Sequence, residues 1–237
     1  MNETPIPPSA IRAPSPALLA MELRVFAELP RFAWRSLSLH GLPRGTGQPL
    51  MVLPGFLAGD FVTLPLRRAL ARLGHVAYGW DEGVNLGMRP QIKQRLAQRL
   101  LKLHAHHRAP VALIGWSLGG VFAREMARHH PQAVRRVFTL GSPISGNPDA
   151  NHMQALFRLA NRGQPVKTDP EGFRRRQTPP PVPCTAIYSK SDGIVAWQCC
   201  LENPALNTEN VEVHSSHFGL IVNEQVLGVL AERLAAG

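Results

Sequence analysis

From residue 50 onward, short apolar runs alternate with stretches of helical spacing. Leu50–Leu53, Val76–Trp80, Val111–Gly115, Arg135–Leu140, Thr185–Ser189 and Val211–His214 are rich in Val, Ile, Leu or Tyr. Each is the length of a strand, and such runs predict strands buried on both faces. Between and after them, Val62–Leu73, Gln91–His107, Leu118–His130 and Asn223–Ala235 predict helices. Gln91–His107 is the clearest, with Ile92, Leu96, Leu100 and Leu103 on one face and Lys93, Arg95, Arg99 and Lys102 elsewhere. Strands and helices in this alternation predict an α/β fold: a mostly parallel sheet of about six strands with helices on both faces.

Two stretches depart from the rhythm. Met1–Pro16 holds five prolines and reads as a disordered tail, leaving 17–237 as one domain. Next, Ala17–Leu29 predicts a helix that Pro30 stops or kinks. Arg24, Glu28, Arg31 and Arg35 form one polar stripe on it, and Leu19, Leu23 and Phe26 lie on another face. The thin, mixed-sign stripe favours a helix packed on the domain over one lying in a membrane interface. The second departure is Pro143–Pro183, an insertion longer than a simple crossover and interrupted by prolines, with Met153–Asn161 as a short helix.

The chemistry concentrates at Val111–Gly120, an apolar strand, then Gly115-Trp116-Ser117-Leu118-Gly119, then a helical run. G-x-S-x-G alone is a common pattern; between a strand and a helix it predicts a nucleophile elbow. The serine sits in a strained turn, and the flanking glycines let strand and helix approach without a Cβ clash. Its hydroxyl is then exposed at the C-terminal edge of the sheet, beside the free N–H groups and positive dipole of a helix start. A serine hydroxyl needs a base, and a histidine base needs a carboxylate to hold its tautomer. Asp192 follows the fifth predicted strand and His217 follows the sixth, so both fall at the same sheet edge as Ser117. His214 is a rival base, but the pattern puts it inside the last strand. Asp149 and Asp169 are rival acids within the insertion. An oxyanion needs two backbone donors. Leu118 N–H, next after the nucleophile, is one candidate, and Phe56 N–H, in the turn Pro54-Gly55-Phe56-Leu57, is the other. Trp116 beside the nucleophile, Phe218 beside the base and Leu57 are candidate apolar substrate walls.

At these residues the chain resembles the α/β-hydrolase superfamily, in particular bacterial lipase- and esterase-like serine hydrolases. The matching segments are Val52–Phe56, Gly79–Gly87, Gly115–Gly120, Thr139–Pro143, Tyr188–Val195 and Ser216–Asn223, in the family's order. The resemblance implies the α/β-hydrolase fold and a carboxylic ester hydrolase without metal or organic cofactor. It assigns Ser117 as nucleophile, His217 as base and acid, Asp192 as orienting acid, and Phe56 and Leu118 N–H as oxyanion donors. The family's usual opening hairpin is missing, and Pro54-Gly55 stands where relatives often carry His-Gly. The insertion occupies the place of a cap or lid, in which Met153, Leu156, Phe157 and Leu159 recur at helical spacing. They line an acyl pocket or pack the lid shut. An acyltransferase or thioesterase, or a non-catalytic binding protein, fits the same scaffold.

Composition adjusts this picture modestly. The chain is 44% hydrophobic and 18% charged, enough to build a core. Its 26 basic residues against 16 acidic give +10, with 22 Arg and 4 Lys spread along the chain. No nucleic-acid-binding motif accompanies them, so no nucleic-acid partner is expected. The charge instead suits anionic substrates or weak association with an anionic membrane surface. Three cysteines, Cys184, Cys199 and Cys200, form no even framework or CxxC pair; this fits a reducing compartment. With no secretory or membrane-spanning signal in the sequence, a cytoplasmic location is expected.

Overall fold

The computed structural model describes residues 10–147, 150–152 and 175–236. Six strands form one sheet: β1 (Pro49–Leu53), β2 (Val76–Gly79), β3 (Val111–Trp116), β4 (Val134–Leu140), β5 (Cys184–Tyr188) and β6 (Thr208–Glu212). They run in the order β2-β1-β3-β4-β5-β6, and every neighbouring pair is parallel. All residues of β1 and β3 are buried, as continuous apolar runs in the middle of a covered parallel sheet require.

Alternate side chains enter opposite layers. Leu50 and Val52 of β1 and Ile114 of β3 join one cluster with Phe32, Leu66, Leu70 and Leu227. Met51 and Leu53 of β1 and Leu113 of β3 join the other with Leu96, Leu100, Phe122 and Met126. The first layer holds α2 (Val25–Leu37), α3 (Asp60–Arg72) and α6 (Glu224–Ala235). The second holds α4 (Pro90–His107) and α5 (Leu118–His129). The helix after β1 and the helix after β3 therefore lie on opposite faces. Neighbouring strands whose connections leave in opposite directions open a crevice at their C-terminal ends, the usual ligand site of such sheets. The register aligns Leu53 with Gly115, Trp116 with Leu140 and Leu140 with Ile187, so the loops after these strands emerge together.

Several expectations need correction. The last strand spans Thr208–Glu212, not Val211–His214. Its sequence is polar because it is an edge strand, placed by its ladder to Cys184–Tyr188 and not by burial on both faces. Both His214 and His217 lie beyond it. Residues 10–16, expected as tail, are docked: Ile11 is buried with Ile194, Val195 and Cys199, Asn147 Nδ2 donates to the Ile11 carbonyl, and His152 Nε2 lies 2.8 Å from the Pro14 carbonyl. The N-terminal helix does not end at Pro30. A short α1 (Pro16–Ala20) and a 3-10 turn (Met21–Arg24) lead into α2, which carries Pro30 internally. Proline deprives the Phe26 carbonyl of its helical partner; Phe26 is 71% exposed, so the break falls on the outer side. The segment packs on the domain as expected, but with its apolar stripe outward: Leu19, Leu23 and Phe26 face away, while Glu22, Glu28 and Phe32 face the domain. The expected helix Met153–Asn161 and pocket residues Met153, Leu156, Phe157 and Leu159, with the rival acids Asp149 and Asp169, lie outside the described residues.

Candidate active site

Ser117 stands between β3 and α5 with φ 53° and ψ −122°, a left-handed conformation that a non-glycine residue adopts only under constraint. Three glycines make the turn possible. A Cβ on Gly115 would collide with the Gly120 backbone, one on Gly119 with the Leu53 carbonyl, and one on Gly120 with Ser142 Oγ. The Ser117 N–H donates to the Leu140 carbonyl (2.8 Å), which fixes the elbow to the end of β4. Leu118 is the first residue of α5, where N–H groups have no partner within the helix.

Asp192 and His217 are both buried, and His217 Nδ1 lies 2.6 Å from Asp192 Oδ2. Asp192 Oδ1 accepts from Ile194 N–H and Val195 N–H, each at 2.8 Å. The carboxylate is thus fully occupied, and each oxygen has a set task. Burial pushes the His217 ring down from its ordinary pKa, but the Asp192 charge and hydrogen bond and the Glu22 charge outweigh it, and the net shift is upward. Gly141 at the end of β4 (φ 57°) lies beneath this pair: a Cβ there would stand 3.0 Å from Asp192 Oδ2 and 3.2 Å from His217 Nδ1. His214 is exposed, its N–H donating to Gln225 Oε1, so exposure and not strand placement separates the two histidines. Among the described residues no hydrogen bond joins Ser117 Oγ to the His217 ring. Such contacts commonly tighten only when substrate arrives.

The loop after β1 adjoins the elbow. A Cβ on Gly55 would lie 3.2 Å from Ser117 Cβ, so the residue ahead of Phe56 is held against the candidate nucleophile. Asn85, within the Gly79–Gly87 segment, has a task that its sequence context does not show. It is fully buried; its Nδ2 donates to the Pro54 carbonyl (2.8 Å), its Oδ1 accepts from Gly87 N–H, and its carbonyl accepts from Leu57 N–H (2.8 Å). Leu57 takes a left-handed φ of 60° in this turn and is 44% exposed. Phe218 is 39% exposed beside His217. Trp116, expected as a substrate wall, is 5% exposed, and its indole N–H donates to the His217 carbonyl (3.0 Å). It braces the His217 loop and offers little surface to a substrate.

Two glutamates of the N-terminal segment hold the loops around the pair. Glu22 Oε1 accepts from Gly193 N–H (2.7 Å) and His217 N–H (2.9 Å), and Oε2 accepts from Phe218 N–H (3.1 Å). Glu28 accepts from Ser216 N–H (2.9 Å) and Ser216 Oγ–H (2.6 Å). No motif marks either glutamate; only their place beside main-chain donors reveals them.

Comparison with known proteins accords with the fold. A family model described as alpha/beta hydrolase fold matches residues 95–175, which include the elbow. A lipase of Bacillus licheniformis in its mature form superimposes with a TM-score of 0.60 at 18% identity, covering 82% of this chain and 94% of that one. A pyrethroid hydrolase from Sphingobium faniae gives 0.58 at 17% identity, covering 81% and 98%. The thioesterase domain from the Curacin biosynthetic pathway gives 0.52 at 13% identity, covering 81% and 92%. No sequence match is found among curated proteins.

Proposed function

We propose, on the premise that this chain has the α/β-hydrolase fold, that it is a serine hydrolase acting on carboxylic esters. The observation that carries this reading is the buried His217–Asp192 pair at the sheet edge where the strained Ser117 stands, 8% exposed and not open to solvent as its place in the sequence suggested. His217 Nε2 takes the Ser117 proton as the hydroxyl oxygen attacks the ester carbonyl. Asp192 holds the proton on Nδ1 and stabilises the imidazolium. Leu118 and Phe56 N–H groups receive the oxyanion; such a donor is typically worth ~3–4 kcal/mol of transition-state stabilisation. The tetrahedral adduct collapses, His217 protonates the leaving alcohol, and water then attacks the acyl-enzyme with His217 again as base. Leu57 and Phe218 give the mouth of the site an apolar lining, which suits an apolar acyl chain.

A series of p-nitrophenyl esters from short to long acyl chains, run on wild type and Ser117→Ala, tests the reading. The variant is expected to lose ~10⁴-fold or more in kcat; retention of most activity refutes it. The likeness to a thioesterase domain supports a second reading, thioester cleavage by the same groups. Parallel turnover of matched ester and thioester substrates separates the two.

The outer face of α2 bears on where substrate is met. Phe26, Trp34 and Leu37 are exposed along it and Leu23 in the turn before it, with Arg31 and Arg35 of the helix and Arg24 of the turn at helical spacing beside them. An apolar stripe beside cations suits an anionic lipid surface. Sedimentation with phosphatidylglycerol vesicles is expected to carry the protein down, and binding is expected to fall steeply with salt. Equal binding to phosphatidylcholine alone, or none to either, refutes this extension.

A further inference from the structure

Glu22 has an unusual setting for a carboxylate. It comes from the 3-10 turn Met21–Arg24, far from the sheet in sequence, and it is 5% exposed. Among the described residues its oxygens meet main-chain N–H groups and no cationic side chain. A charge buried in this way is costly unless its hydrogen bonds are complete, and a purely structural role is served more cheaply by an apolar residue. The three N–H groups it collects belong to two loops. Gly193 is next to Asp192, and His217 and Phe218 are the base and the residue after it. The surrounding contacts point the same way. Arg24 Nη2 donates to the Ser191 carbonyl (2.9 Å), and a Cβ on Gly193 would run into the Leu18 carbonyl, so the N-terminal segment is seated directly on the acid loop.

We propose that Glu22 is a positioning residue of the hydrolytic site, a carboxylate strap that holds the Asp192 loop and the His217 loop at their working separation. The inference rests on the acyl-transfer reading given above. Every polar group of His217 but ring Nε2 is then held: ring Nδ1 by Asp192, N–H by Glu22 and carbonyl by the Trp116 indole. The Glu22 charge also adds to that of Asp192 in favouring the imidazolium. The charged and titratable groups around the base are Asp192 and Cys200 from the β5 side, Glu22 and Arg24 from the N-terminal turn, and Glu28 from α2 through Ser216.

Two substitutions separate charge from geometry. Glu22→Gln keeps the shape and an acceptor for Gly193 and His217, removes the charge, and gives up the Phe218 N–H contact to an amide NH2. The acid limb of kcat/KM and the titration midpoint of the His217 ring, followed through its low-field Hδ1 resonance, are both expected to move to lower pH. Plateau kcat is expected to stay within about tenfold of wild type, the equivalent of one weakened hydrogen bond. Glu22→Ala frees both loops and is expected to cut kcat by ~10²-fold with a much smaller change in KM, as loss of alignment does. An unmoved His217 midpoint in Glu22→Gln, or a Glu22→Ala enzyme that folds and keeps its kcat, overturns the proposal. If Glu22→Ala does not fold, the Glu22→Gln titration still decides. That titration reads the imidazole without ester turnover. A failure of the ester-hydrolase reading, seen as activity surviving Ser117→Ala, is therefore distinguishable from a failure of this one.

Discussion

Replacing Asp192 by Asn probes the pair at its most constrained atom. The carboxylate has two oxygens with different tasks: Oδ1 takes two backbone N–H bonds at 2.8 Å and Oδ2 takes the His217 Nδ1 bond at 2.6 Å. An amide has only one acceptor oxygen, so one side must lose. Turning the NH2 toward Ile194 and Val195 opposes donors to two buried donors, at ~1–3 kcal/mol each. Turning it toward His217 sacrifices one contact, so this orientation wins. The amide then donates to Nδ1, which forces the ring proton onto Nε2, the atom that has to accept the Ser117 proton. Catalysis through the wrong tautomer falls by ~10⁴-fold, or about 5 kcal/mol at 1.36 kcal/mol per tenfold. The assay is kcat for a p-nitrophenyl ester, with the thermal unfolding midpoint measured in parallel to show that the variant is folded. A folded Asp192→Asn enzyme within tenfold of wild type refutes the assignment of Asp192.

Three further outcomes are expected. In the proposed mechanism His217 acts as a base only when neutral, and its pKa is raised; the acid limb of kcat/KM is therefore expected above the pH at which an exposed imidazole titrates, and a limb below it contradicts the balance of charges described. His214→Ala, at an exposed ring, is expected to keep near-wild-type kcat where His217→Ala abolishes it, and the reverse result exchanges their roles. Arg124 and Glu202 form an almost fully buried pair at 2.7 Å; Arg124→Met is expected to cost about 3–5 kcal/mol in a urea unfolding series by stranding the carboxylate. Protonation relieves a stranded carboxylate, so this loss is expected to shrink toward acidic pH, and an unchanged loss at low pH places its cause elsewhere.

What the sequence disclosed follows the physics each residue obeys. The central strands were legible because both faces are buried, so their apolar runs are continuous. The elbow was legible because its glycines answer to steric demands that no other residue meets. Asp192 and His217 followed from strand ends on a common edge. The inward face of the N-terminal helix was not legible because periodicity tells which helix face is apolar and not which face points inward. Here the inward face carries Glu22 and Glu28, whose partners are backbone N–H groups in distant loops, and side-chain patterning carries no trace of those. The edge strand Thr208–Glu212 was misplaced for a related reason: a ladder on one side holds it, and its polar residues do not announce a strand. Asn85 was invisible as an organiser because its task is to complete the hydrogen bonds of the Phe56 turn.

The central claim is that Ser117 is the group that becomes covalently attached. The most direct measurement is the intact mass of the protein after exposure to a p-nitrophenyl alkylphosphonate, followed by peptide mapping. The account predicts a single phosphonyl adduct on the peptide holding Ser117, absent from Ser117→Ala and strongly slowed in His217→Ala. An adduct on another residue, or ester turnover with no adduct at Ser117, contradicts it.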